Sequence, residues 1–171
     1  MDIKITDQLT EAEKERLFRW DDDVFGEGGV LTEHFPCQPK NIHMVCYENG
    51  QAASHVGMLQ HTVIVNDQPI PVGGIGGVVT HPEHQGKGFA QALMKEAVHY
   101  FKEALKIEFG MLFCFDRLLP FYESMGWQHI QDDVYVYNKT EKVIWTDEIM
   151  VLPLTAKPWP KGDVDIDGYF W

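Results

Sequence analysis

The sequence predicts an α/β (α+β) chain: a mixed, mostly antiparallel sheet with a central parallel strand pair and helices on both faces. Three observations lead there. Residues 73–105 run strand, glycine turn, amphipathic helix, and residues 109–115 follow as an almost unbroken apolar run. Upstream, Asn49-Gly50 and Asn66-Asp67 mark turns between β-type segments. A strand, a helix and a second strand in that order make a parallel pair by crossover, whereas tight turns make antiparallel neighbours.

Taken in order, residues 4–6 read as a short strand. Thr10 and Glu13 make a capping box that opens a helix over 11–20, turning Leu17, Phe18 and Trp20 inward. Asp21-Asp22-Asp23 then leads an irregular acidic segment reaching His34 and Phe35. Residues 41–48 are a strand, and Asn49-Gly50 is a strong hairpin signal. A second strand runs from Ser54 to Val65, and its end, His61-Thr62-Val63-Ile64-Val65, alternates as a half-exposed strand should. Pro69 and Pro71 mark an edge or irregular approach to the next strand. Residues 75–80 have the β-branched character of a buried strand, which Pro82 stops because it has no N–H.

From Phe89 onward, Ala90, Leu93, Met94, Ala97, Val98, Phe101 and Leu105 form one apolar stripe at helical spacing. The apolar run 109–115 suits a strand buried on both faces beside a parallel neighbour. A short helix follows Asp116, and Gly126 ends it. Residues 127–131 and 134–137 add late strands and 150–154 a final one, for a sheet of about six or seven strands.

At 171 residues the chain reads as one domain, 1–171, with room for a sizeable core. Its 44% hydrophobic content excludes a disordered chain. No apolar run approaches the ~20 residues of a membrane span, so no membrane partner is expected. Cys37, Cys46 and Cys114 fit no metal-ligand spacing and read as reduced thiols of a cytoplasmic protein. The net charge of −12 argues against nucleic acid and favours a cationic partner.

The glycine turn carries the chemistry. A helix start has unpartnered N–H groups and a positive dipole end, so it draws an anion. Gly86 and Gly88 admit positive φ and close backbone approach, and Lys87 adds a full charge. A plain strand-to-helix connection is the competing reading. The nucleotide loop Gly-x-x-x-x-Gly-Lys-Ser/Thr fails because Gly88 follows Lys87, and the dinucleotide fingerprint fails because Gln91 replaces its third glycine. Gln85-Gly86-Lys87-Gly88-Phe89-Ala90 instead resembles the coenzyme A pyrophosphate loop of the GNAT acetyltransferase superfamily, Gln/Arg-x-x-Gly-x-Gly/Ala. Leu119-Pro120-Phe121-Tyr122-Glu123-Ser124-Met125-Gly126-Trp127 resembles the Phe-Tyr-x-x-x-Gly-Phe/Trp stretch that follows the second parallel strand in that superfamily. The likeness covers residues 41–137 best.

That resemblance implies acetyl-CoA as acyl donor, no metal, and two parallel strands that splay between residues 78–80 and 114–115. Val78, Val79 and Thr80 would line the pantetheine arm, with strand backbone pairing to its amides and an N–H near Val79 meeting the oxyanion. Gln85, Gly86, Lys87, Gly88, Phe89 and Ala90 would hold the pyrophosphate. Tyr122 would face the departing sulfur; a phenol near ~10 and a thiol near ~8.5 need share only a hydrogen bond. Many relatives carry a Glu on the central strand where this chain has Gly76, so His55, His81, Asp116 and the Trp171 carboxylate stand as candidate bases. Phe115 also replaces the Asn expected ahead of the tyrosine. His81 and His84 read as loop polars without a third ligand.

The end of the chain, about 155–171, is acidic and aromatic, which predicts docking near the acceptor site. Its Val-Leu-Pro strand and acidic end in Trp resemble aminoglycoside 2′-N-acetyltransferases. By that likeness Asp165, Asp167 and Trp171, with Asp116, would hold a small cationic amine, aminoglycoside-like or polyamine; a tail that only staples the sheet is the competing reading. The acidic segment 21–35 would face the same acceptor. A non-catalytic acyl-CoA-binding module and a protein or peptide N-acetyltransferase remain as alternatives, and homodimer pairing through late strands is expected by analogy.

Overall fold

The computed structural model describes residues 1–20 and 36–171. The acidic segment 21–35, expected to face the acceptor, lies outside the described residues. Among those described, ten strands form one mixed sheet. They are β1 (Asp2–Thr6), β2 (Ile42–Glu48), β3 (Gln51–Val65), β4 (Gln68–Thr80), β5 (Phe109–Cys114), β6 (Gln128–His129), β7 (Val134–Asn138), β8 (Glu141–Ile144), β9 (Glu148–Pro153) and β10 (Val164–Asp165). Three α-helices accompany them: α1 (Glu11–Phe18), α2 (Phe89–Glu103) and α3 (Leu119–Glu123).

The strand order is β6-β9-β5-β4-β3-β10-β7-β8, with β2 also on β3 and β1 on β2. Among the described strands two neighbouring pairs are parallel, β4 with β5 and β10 with β7. The expected central pair is therefore present, and α2 is its crossover. The strand count exceeds the expected six or seven in part because β8 and β10, four and two residues long, are too short to carry a strand pattern. The N-terminal helix also stops earlier than 11–20, at Phe18 with Arg19 as its cap. Both halves of the Thr10–Glu13 capping box form. Asn49 and Gly50, and then Asn66 and Asp67, all take positive φ, as two-residue hairpin turns require.

Each face of the sheet is covered differently. On one face α2 buries Phe89, Leu93, Met94, Ala97 and Phe101 against Met44, Cys46, Met58 and Leu112. On the other, α1 packs Leu17 onto Val45, Ala52 and Val79. Farther along that second face, β7 and the chain's end bury Val134, Val164, Ile166, Phe170 and Trp171 against Val63, Phe109 and Met111. Adjacent residues such as Val45 and Cys46 belong to opposite layers, as the two-residue period of a strand demands. Among the described residues, a cavity lies on the second face between α1 and the chain's end.

Candidate active site

Pairing of β4 with β5 ends at Ile75 and Leu112, although β4 continues to Thr80 and β5 to Cys114. Past that point the two strands part. Two depressions meet at the opening: a cavity of about 650 Å³ on the α1 side and one of about 460 Å³ over the glycine loop. Val78, Val79, Thr80, Gln85, Leu118 and Tyr122 line both. A molecule seated on the loop side therefore reaches the other cavity only past Tyr122 and the end of β4.

The loop side is shaped for an anion. Gly86 and Gly88 take φ of 74° and 81°, and a side-chain carbon at either would meet nothing within 4 Å. The space over the loop is thus open while the backbone is in the left-handed region. Gly88 is the N-cap of α2, a helix of 15 residues, so its positive end faces the cavity lined by Gly86, Gly88, Phe89 and Ala90. Lys87 Nζ lies 3.1 Å from Glu48 Oε2, and His84 Nδ1 2.8 Å from the same oxygen. The hydrogen bond from Lys87 is the first cause holding the Glu48 carboxyl below its usual range. Gln85 donates from Nε2 to the Thr80 carbonyl at 3.2 Å, tying the loop to the strand end. These residues fit a diphosphate: open backbone N–H groups, a helix start and a lysine.

The backbone of β4 divides its groups between two sides. Val79 O accepts from Ser54 Oγ at 2.9 Å, and His81 N donates to Ala53 O at 2.9 Å, so both face β3. Alternation then turns the main-chain groups of Thr80 toward the splay. An oxyanion donor on this strand has to come from a neighbour of Val79, not from Val79 itself. Tyr122 sits on α3, 4% exposed, in both linings. Burial, and then nearby Cys114, push its phenol up, so the hydroxyl keeps its proton at neutral pH.

The expected acceptor residues divide. Trp171 lines the larger cavity and packs edge-on against Phe113, with centroids 5.0 Å apart. Asp116, Asp165 and Asp167 are not among its lining residues. Asp165 is paired with Lys142 and also accepts from the Asp167 N–H at 2.9 Å. Among the described side chains, the acid that lines the cavity is Asp147, raised by burial and then by Glu148 and Asp116. Lys14, Lys40 and Arg117 line it too. A Thr-Asp-Glu turn between strands offers no signal in sequence for Asp147.

The candidate bases also separate. At Gly76 a side-chain carbon would come 2.7 Å from Lys40 Cε and 3.0 Å from the Trp171 main-chain carbon. A side chain there would have to displace the end of the flexible Lys40 side chain and shift the Trp171 backbone slightly. His55 is 2% exposed and held between Gly77 O (2.7 Å from Nδ1) and His43 Nδ1 (2.9 Å from Nε2). It therefore has no direct reach. Burial pulls its pKa down to about 4, so it is neutral at pH 7. His43, which sequence reasoning passed over as a strand residue, lines the cavity. His81, Glu83 and His84 bring ligand-type atoms within 4.8 Å of one another. The Arg16 guanidinium already lies 2.9 Å from Glu83 and 3.3 Å from His84 Nε2, supplying the positive charge there.

Splayed strands, a glycine loop at a helix start and a tyrosine between two cavities define a GNAT-type acyltransferase site. Residues 6–130 match the acetyltransferase (GNAT) domain family, and the chain belongs to that family. It is similar in fold to a putative N-acetyltransferase from Lactobacillus plantarum (TM-score 0.61, 16% identity, 90% of this chain and 98% of that one). It is also similar to YhbS, a GNAT N-acetyltransferase from Escherichia coli solved with CoA (0.60, 15%, 96% and 88%). A GNAT acetyltransferase from Brucella melitensis, solved with acetyl-CoA, gives 0.58 at 17% identity over 95% and 94%. Other matches are longer proteins: the chain spans 34% of the one from Kribbella flavida.

Proposed function

We propose that this chain transfers an acetyl group from acetyl-CoA to the primary amine of a small acceptor by direct attack. The observation that carries the reading is the pair of cavities meeting at Tyr122 where β4 and β5 part. The loop of Gln85, Gly86, Lys87, Gly88, Phe89 and Ala90 holds the pyrophosphate, and Val78 and Thr80 pair with the pantetheine arm. The bound donor supplies an acetyl thioester, an electrophile that an uncharged amine can attack. Tyr122 donates a hydrogen bond to the sulfur as it leaves, and a β4 N–H beside Val79 meets the developing oxyanion. The CoA-bound and acetyl-CoA-bound relatives support this placement by fold.

The acceptor enters from the α1 side, between that helix and Trp171. Aminoglycosides and polyamines follow from the acidic tail, but Asp165 and Asp167 stand outside the cavity lining, where among the described residues Lys14, Lys40 and Arg117 accompany Asp147. Phe113, Phe115, Phe170 and Trp171 favour an acceptor with an apolar body. The three free cysteines support a reducing, cytoplasmic setting. Thiol release from acetyl-CoA is the test, with a panel of an aminoglycoside, a polyamine and aromatic monoamines. Release that depends on an added amine is expected. Tight acetyl-CoA binding with no release for any amine would instead mark a binding module.

A further inference from the structure

The hydrogen bonds that link Gly77, His55 and His43 to one another are all made by one arrangement of protons with both rings neutral. A carbonyl can only accept, so His55 Nδ1 carries a proton and donates to Gly77 O across 2.7 Å. His55 is neutral in its buried place, so its Nε2 is bare and accepts. The 2.9 Å contact to His43 Nδ1 then requires the proton on His43 Nδ1. His43, burial-lowered and neutral as well, is left with an unprotonated Nε2. The chain of donors runs from His43 through His55 to the sheet backbone, and its open end is a lone pair on a residue that lines the acceptor cavity.

Two bulges build this arrangement. In the β2–β3 ladder the register slips between Cys46 and Tyr47, with Ala53 as the extra residue, so His43 faces Gly57 and Val45 faces His55. In the β3–β4 ladder the slip lies between His55 and Gly57, where Gly77, at φ 59°, and Val78 oppose Val56 alone. The first bulge brings both imidazoles to one face as diagonal neighbours. The second turns Gly77 O onto His55. Phe18 from α1 packs edge-on over the His55 ring, centroids 5.1 Å apart, and helps fix it.

We infer that His43 is the general base of this enzyme and that His55 is its positioning residue, holding it with Nε2 directed to take the proton of the attacking amine. The inference rests on the acetyltransferase reading above. As the amine nitrogen forms its bond to the acetyl carbon and the carbon–sulfur bond breaks, one N–H proton passes to His43 Nε2. The sulfur leaves as thiolate, hydrogen-bonded by Tyr122, and takes a proton from solvent, so amine and thioester become amide and thiol. His43 can hold the proton briefly because the Lys40 backbone bond favours its charged form, while burial and the Lys40 charge return it to neutral. The other charges acting on the pair are Glu13 from α1 and Asp7 before it, with Lys40 ahead of β2. Lys14 also lines the cavity.

Nitrogen-15 NMR of the full chain without substrate tests the wiring. Both imidazoles should be neutral Nδ1–H tautomers at pH 7; an Nε2–H tautomer at His43 would overturn the relay. Kinetics test the role. His43→Gln should lower kcat/KM for the amine by about 100-fold and remove the acidic limb of its pH profile, with acetyl-CoA binding kept within twofold. His55→Gln should shift that limb instead of removing it, and added imidazole should restore part of the activity of His43→Ala. A His43→Gln enzyme within threefold of wild type, its acidic limb in place, would end the assignment. A wild-type protein that acetylates no amine overturns the function and the base role together, while the tautomers still decide the wiring by themselves.

Discussion

His55 couples the site to the stability of the molecule. A histidine buried neutral takes up its proton in the unfolded chain near pH 6.5 and in the folded chain only near 4. The unfolded state therefore binds more protons between those values, and stability falls as pH falls through that window. The loss should be roughly 3 kcal/mol. Denaturant unfolding at pH 7 and pH 4.5 measures it, and a His55→Phe variant should show a much flatter profile. Glu13 acts at lower pH. Burial works against its charge, but hydrogen bonds from Tyr47, Thr10 and Lys4 hold it at about 2, so its contribution is full above 4.5 and lost toward 2. Tyr122→Phe should reduce kcat by roughly 10- to 1000-fold with little change in acetyl-CoA affinity; an unchanged kcat in steady-state assays would remove the acid role. The place of Tyr122 between the two cavities was legible because it sits in a motif. His43 was not, because a single histidine on a strand has no signature.

Among the elements, the glycine loop is the part that local sequence determines most fully. Its conformation follows from residues within one turn of each other, so Gly86, Gly88 and the start of α2 could be placed from the chain alone. Gly88→Val should raise the acetyl-CoA dissociation constant at least 10-fold, since a β-branched residue strains at φ 81° and narrows the open space above it. Equilibrium binding of acetyl-CoA to the folded variant checks this. The bulges behave oppositely. A regular hairpin about Asn49-Gly50 would pair Met44 with His55 and send His43 to the other face. Ala53 as the extra residue reverses that, and nothing in Gln51-Ala52-Ala53-Ser54 marks it. The histidine pair is thus a product of register, which the sequence pattern leaves open.

Over the whole molecule, the parallel pair and its crossover were readable from the apolar run at 109–115 and the amphipathic stripe of α2. The place of the last strands was not. β9 lies between β5 and β6, and β10 runs between β3 and β7, because partner choice depends on which sheet edges remain open after earlier strands have paired. The acidic content of the tail pointed to a polycation, yet its buried residues, Val164, Ile166, Phe170 and Trp171, do the packing. Trp171→Ala should cost about 3 kcal/mol in denaturant unfolding and widen the acceptor cavity. Donor binding at the splay underlies every step proposed for this chain, and calorimetric titration of the full chain with acetyl-CoA tests it most directly. One molecule should bind per chain with a dissociation constant on the order of micromolar, weakened at least 10-fold in Gly88→Val. No binding heat at any temperature, or equal affinity in the variant, would contradict it.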